Sequence, residues 1–178
     1  SIALLLHIKE SKKEVIPTSS TFQLDLFAAP VRPSMRALIV LPASLVFNWV
    51  IELKKFAPQL LRYVHVGSER YTSAAMVQSF DVILTTYHIL VRDVEIFSRI
   101  EFDMVILDES QQIKNKDSKM FESVSRLSSP FRLTLSGTPI ENSLSDLWAQ
   151  MQFINPGILG NSNAFKKAFQ TPIEKNQD

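Results

Sequence analysis

The stretch FDMVILDESQQIKNK, residues 102–116, holds an apolar run that stops on two carboxylates. Met104, Val105, Ile106 and Leu107 lead directly into Asp108 and Glu109. A continuous apolar run of this length predicts a strand buried on both faces, the kind found in parallel sheets. Such a strand delivers its acids to its carboxyl end, where loops and helix starts converge around ligands in open α/β sheets.

The flanking sequence has the rhythm of such a sheet. RALIVL (36–41), RYVHV (62–66), DVILTT (81–86) and FRLTLSG (131–137) predict further strands. Between them, SLVFNWVIELKKFA (44–57) predicts an amphipathic helix closed by Pro58, and TSAAMVQSF (72–80) a short one. YHILVRDVEIFSR (87–99), SKMFESVSRL (118–127) and SLSDLWAQMQFI (143–154), which ends at NPG, predict helices as well. Strands alternating with helices give an α/β fold, a mostly parallel sheet covered on both faces. SIALLLHIKESKK (1–13) has a helical pattern, and the organisation expected is a helix over residues 1–9, a flexible insertion over 10–35 and the remainder of one lobe over 36–178. The insertion mixes charge, serine, threonine and three prolines, with FQLDLF as a weak edge-strand candidate.

Composition excludes some classes. The chain has 178 residues, enough for one domain with a sizeable core. It has no cysteine, which rules out disulfides and thiolate zinc sites and fits a reducing compartment. His7, His65 and His88 have no metal-ligand spacing. The net charge of +1 decides nothing about nucleic acid, because a basic groove can hide within a balanced total. The longest apolar stretch, ALIVLPASLVFNWVI, is interrupted by Pro42 and Asn48 and falls short of the ~20 residues of a spanning helix. No targeting segment is seen either, so the expected location is the cytoplasm, on the nucleoid, or the nucleus.

Several loops at the carboxyl edge carry candidate chemistry. Asp108 and Glu109 suit a hard cation such as Mg²⁺, which takes carboxylate oxygens and usually arrives with nucleotide phosphates. A second carboxylate can orient an attacking water. From this segment alone, two acids that merely solvate a strand end are an equally good reading. Ser136-Gly137-Thr138-Pro139 follows the strand FRLTL, with Gly137 able to supply an unusual backbone angle. Read alone, that turn is better taken as an ordinary strand-to-helix connection. Pro42 and Ser44 follow LIVL, with Ser44 a candidate helix N-cap, and Thr85 and Thr86 end another strand. Together, three hydroxyl-bearing loops and an acidic pair make a surface suited to nucleotide and nucleic acid.

The order LIVLPASLVFNWVIELKKFAP, DVILTTYHIL, VILDESQQIKN, LTLSGTPIENSLSDLWAQMQFINPGILG resembles the Swi/Snf-like ATPases, a branch of the superfamily-two helicases. The match runs from about Arg36 to Phe169, and SIALLL looks like the helix after that family's P-loop. SGTPIEN, DLW and NPG at this distance point to this branch rather than to DEAD-box RNA helicases. The resemblance implies a RecA-like lobe and a DNA-dependent ATPase that tracks duplex DNA without unwinding it and remodels protein–DNA complexes. It implies that Asp108 positions Mg²⁺, commonly through water, that Glu109 polarises the water attacking ATP, and that Gln111 senses the γ-phosphate and a second lobe. Ser136, Gly137 and Thr138 match the segment that couples hydrolysis to DNA movement. Pro42, Ser44, Thr85, Thr86 and Lys114 match positions near the DNA backbone. Trp49, Trp148 and Phe153 also match, and packing is the expected role of all three.

Two departures from the pattern stand out. Ser110 replaces a small apolar residue, for which tuning is the expected consequence. No G-x-x-x-x-G-K-[ST] occurs, and the four glycines (67, 137, 157 and 160) cannot form that phosphate cradle. The 178-residue chain alone is therefore expected to be inactive, with the phosphate cradle and the second lobe supplied by the rest of a parent protein. The rival readings are a non-catalytic DNA- or protein-binding module of the same fold, and the motor subunit of a restriction or phage-defence system.

Overall fold

The apolar runs form the middle of a five-stranded sheet. The computed structural model describes residues 2–13, 35–137 and 144–170. Strands β1 (Ala37–Leu41), β2 (Arg62–His65), β3 (Val82–Thr86), β4 (Met104–Asp108) and β5 (Phe131–Leu135) lie in the order β2-β3-β1-β4-β5. All four pairings are parallel, as the unbroken apolar runs require. One register row crosses the whole sheet: His65 pairs with Thr85, Thr85 with Val40, Val40 with Leu107 and Leu107 with Thr134. The strands therefore end nearly level, and the loops that follow them share one edge.

Alternate residues of the strands build two cores. On one face Leu38, Val40, Ile83, Val105 and Leu107 pack with Val77 of α3 (Ala74–Val77), Leu90 of α4 (Tyr87–Arg92), Phe97 of α5 (Val94–Phe97), Val124 of α6 (Lys119–Ser125) and Phe153 of α7 (Leu144–Ile154). On the other, Ala37, Ile39, Leu41, Val82, Leu84 and Ile106 pack with Leu5 of α1 (Ile2–Lys13) and Leu53 of α2 (Val46–Phe56). Each fully buried Leu or Ile contributes about 1.5–3 kcal/mol relative to exposure, so the central strands dominate stability. β5 differs. It is an edge strand, mostly half-buried along its length, and Phe131 is 59% exposed.

The structure adjusts several expected boundaries. α1 continues to Lys13, four residues past the expected domain limit, because Lys9 bonds Asp81 at 2.8 Å and Lys12 bonds Asp103. Most of the expected insertion, residues 14–34, lies outside the described residues, as does Thr138. The single helix expected over 87–99 is broken at Asp93, whose side chain turns to His65 and Arg70. Not anticipated were 3-10 turns over Ala43–Leu45 and Ser110–Ile113, α8 (Ser162–Phe165), capped by Asn161, and a π-helical turn over Lys166–Gln170. Among the described residues no helix is long and apolar enough to cross a membrane.

The Asp93 cluster makes stability sensitive to pH. His65 is fully buried, and its Nε2 lies 2.9 Å from Asp93 Oδ2. A carboxylate only accepts, so a neutral ring must place its proton on Nε2. Nδ1 has no hydrogen-bond partner among the described residues, so a second proton there would be buried without an acceptor. Burial accordingly holds the imidazole below its ordinary value of 6.5, against the raising pull of Asp93. Asp93 is itself held below the carboxylate range, chiefly by Arg70. Both groups bind protons more readily when unfolded, so stability falls as pH falls. The His65 contribution starts to be lost near 6.5 and the Asp93 contribution only below 3.8, their ordinary values. Melting temperatures taken from about pH 7 to about pH 5 should decline, and His65→Gln should flatten that slope. A slope unchanged by the substitution would assign it to other groups.

Candidate functional site

The end of β4 is held by contacts from three elements. Trp49 of α2 donates its indole N–H to Asp108 Oδ2 at 2.7 Å, and the Glu109 N–H donates to Oδ1 at 3.0 Å. The Tyr87 hydroxyl at the start of α4 donates to the Asp108 carbonyl at 2.8 Å. Burial pushes the Tyr87 hydroxyl far above its ordinary value, with Asp108 and Glu109 pushing the same way, so it stays a donor. Sequence reasoning assigned Trp49 to packing and did not anticipate this polar contact. The signal available was its place on the helix after β1, the strand neighbouring β4.

Glu109 has a left-handed backbone, φ 50° and ψ 53°, unusual for a residue with a side chain. Such a conformation costs roughly 1–3 kcal/mol and persists where surrounding contacts over-determine it. Here it turns the chain from β4 into the 3-10 turn, so that Glu109 and Gln111 meet. Gln111 Nε2 donates to Glu109 Oε2 at 2.6 Å, and Gln111 Oε1 accepts from Ser136 Oγ at 2.9 Å. The acidic pair and the segment after β5 are thereby joined through one glutamine side chain.

A pocket of about 250 Å³ opens beside Asp108, lined by Ile2, Leu45, Asn48, Trp49, Glu52 and the acid itself. α1 runs antiparallel to the strands: Lys9 and Lys12 are tied at the amino edge, and the Ile2 end reaches the pocket. Among the described residues no three metal-ligating side chains gather. Each Asp108 oxygen accepts one protein hydrogen bond and keeps a further lone pair. That donor set fits a hydrated Mg²⁺ whose other partners are water and phosphate, and not a protein-enclosed metal centre.

The remaining candidates divide. Lys114 is exposed at the end of the 3-10 turn, and Pro42 is half-buried just past β1. Ser44 is exposed but caps nothing, because it lies inside a 3-10 turn over Ala43–Leu45 and Leu45 precedes α2; the expected N-cap is corrected. Thr85 is also corrected. It is fully buried and its hydroxyl donates to the His65 carbonyl at 2.9 Å, so it presents no group to a partner. Thr86 accepts from the Ile89 N–H as the N-cap of α4. Gly137 does not have a positive φ, contrary to expectation. Trp148 and Phe153 are buried in packing, with the Trp148 N–H donating to the Gly160 carbonyl at 3.2 Å.

Comparison with known proteins identifies the family and the fold. The SNF2-related domain matches the chain over residues 1–178. YwqA of Bacillus subtilis, whose name marks it provisionally as an ATP-dependent helicase/translocase, is 36% identical over 99% of this chain and 18% of its own length. The TATA-binding protein-associated factor mot1 of Schizosaccharomyces pombe is 38% identical over 80% of this chain and 7% of its own length. The chain thus spans less than a fifth of these curated relatives. Among solved structures, the Sulfolobus solfataricus SWI2/SNF2 ATPase core in complex with dsDNA aligns at a TM-score of 0.72 and 32% identity. That alignment covers 99% of this chain and 39% of the other. The family model spans the whole chain and the solved core aligns over nearly all of it, so the chain belongs to the SNF2-related family and has the RecA-like fold of a SWI2/SNF2 ATPase core.

Proposed function

We propose that this chain is most of the first lobe of a DNA-dependent ATPase that moves along duplex DNA and displaces or rearranges bound protein. The observation that supports this best is the continuous line Glu109–Gln111–Ser136. It joins the carboxylate suited to orienting water to the segment that, by family resemblance, couples hydrolysis to movement. In this reading Asp108 takes the water shell of Mg²⁺, fixed in direction by Trp49 and the Glu109 N–H. Glu109 accepts a hydrogen bond from the attacking water, and Gln111 holds that carboxylate and reports its position to Ser136. Mg²⁺, when bound with ATP, neutralises charge on the phosphates. The DNA backbone is met by Pro42, Ser44 and Lys114 on the loops of the same edge, contacts that carry little sequence information. A SWI2/SNF2 core solved with dsDNA supports a duplex partner.

The test is phosphate release by the full-length protein with and without duplex DNA, where stimulation by DNA of unrelated sequence is expected. No stimulation by any duplex would remove this reading. Lys114→Ala should weaken duplex binding by a similar factor on all sequences and lower the salt slope of log K by about 1. Loss confined to one sequence would contradict a backbone contact. Thr86→Ala should instead cost about 1 kcal/mol of stability as a lost N-cap.

A further inference from the structure

Between the two working side chains of the 3-10 turn lies Ser110, which points the other way. Glu109 and Gln111 turn toward each other, whereas Ser110 is fully buried and donates its hydroxyl to Gln150 Oε1 of α7 at 2.7 Å. Gln150 is itself only 4% exposed. We infer that Gln150 is a positioning residue: through Ser110 it fixes the left-handed turn that aims Glu109. The inference rests on the hydrolytic reading of Glu109 above.

Three observations carry it. A left-handed glutamate needs restraint on both sides, and Asp108 is held on one side by Tyr87 and Trp49. On the other side, the Ser110 hydroxyl ties the turn to α7 through Gln150. A hydroxyl placed in a dry site binds strongly to its acceptor because no water competes, so the bond has a defined direction. α7 is in turn joined to β5, since Arg132 donates to the Phe153 carbonyl at 3.0 Å and its guanidinium lies over the Phe153 ring, 5.1 Å from the centroid. Ser136 follows β5 directly. The anchor of the turn and the donor end of the Glu109–Gln111–Ser136 line, Ser136, thus rest on one support, and a shift of that support would change the aim of Glu109.

An alanine at 110 would fill nearly the same space without a donor, which makes Ser110→Ala a mild structural change and a sharp test. In the full-length protein, Ser110→Ala and Gln150→Leu should each lower the DNA-stimulated kcat about tenfold, since small misplacements of reacting groups are costly. KM for ATP and duplex affinity should stay within about twofold, because neither phosphates nor DNA meet this pair. The double variant should be no slower than Gln150→Leu alone, whereas independent effects would multiply to about a hundredfold. Wild-type kcat in Ser110→Ala, multiplicative losses, or a lower melting temperature with unchanged kcat would each overturn the inference and leave the hydrolytic reading standing. A wild-type protein without DNA-stimulated hydrolysis would remove both.

Discussion

Glu109→Gln in the full-length protein is expected to lower DNA-stimulated ATP hydrolysis by ~10²–10⁴-fold, the range for loss of a positioned general base. Affinity for ATP should change little. The substitution is nearly isosteric, and the new amide oxygen can still accept the Gln111 N–H that now reaches Oε2 at 2.6 Å. The left-handed backbone suits glutamine no worse than glutamate, so the fold is not taxed further. What disappears is the negative charge that polarises water. Asp108→Asn is a less clean experiment. Both oxygens of Asp108 accept N–H groups, from Trp49 and from Glu109. An asparagine has one oxygen for those two donors, so its NH₂ must face an N–H whichever way it is turned. Asp108→Asn should therefore weaken Mg²⁺-nucleotide binding and disturb the end of β4 together. Nucleotide titration beside phosphate release separates the two variants. Near-normal turnover by Glu109→Gln would sink the assignment of this residue.

How much of this was legible in the sequence depended on range. MVILD and ALIVL announced buried parallel strands because burial on both faces needs unbroken apolar runs, and both strands are buried almost throughout. The acidic pair and Ser136 were legible as neighbours because a parallel sheet brings its strand ends to one edge. Side-chain direction was not. Thr85 and Thr86 are adjacent hydroxyls at a strand end, yet the pleat sends Thr85 into the interior toward His65 while Thr86 caps a helix. Trp49–Asp108 and Ser110–Gln150 join residues 59 and 40 positions apart, and no local pattern encodes such a pairing. Ser44 failed for a related reason: a proline with a small hydroxyl residue two positions on suits a 3-10 turn as well as an N-cap, and the turn won.

The 178-residue chain by itself, purified and supplied with ATP, Mg²⁺ and duplex DNA, is expected to release no phosphate above background. Phosphoryl transfer is catalysed mainly by positioning and charge neutralisation, so a partial apparatus does not give a proportionate rate. The chain holds Asp108, Glu109 and Gln111 in defined geometry, but it has no glycine-rich loop to surround the β- and γ-phosphates with N–H groups. Its four glycines lie at 67, 137, 157 and 160, outside any such motif. The pocket beside Asp108 is bounded by Ile2, Leu45 and Trp49 together with Asn48 and Glu52, with no cationic side chain among the described residues that line it. A triphosphate there would meet two acids and no compensating positive charge, so binding itself should be weak. Absence of an arginine finger alone costs about 10³–10⁵ in rate where one is used. The inactivity should not reflect misfolding, because both cores close among residues of this chain and the central strands are buried. The half-buried edge at β5, with Phe131 exposed, is the weak side and the place where copies would associate at high concentration. Calorimetry with ATP and a phosphate-release assay on the monomeric fraction test the prediction together. DNA-stimulated release that vanishes on Glu109→Gln would show that this carboxylate turns over ATP without a phosphate cradle, and the positioning argument would be wrong.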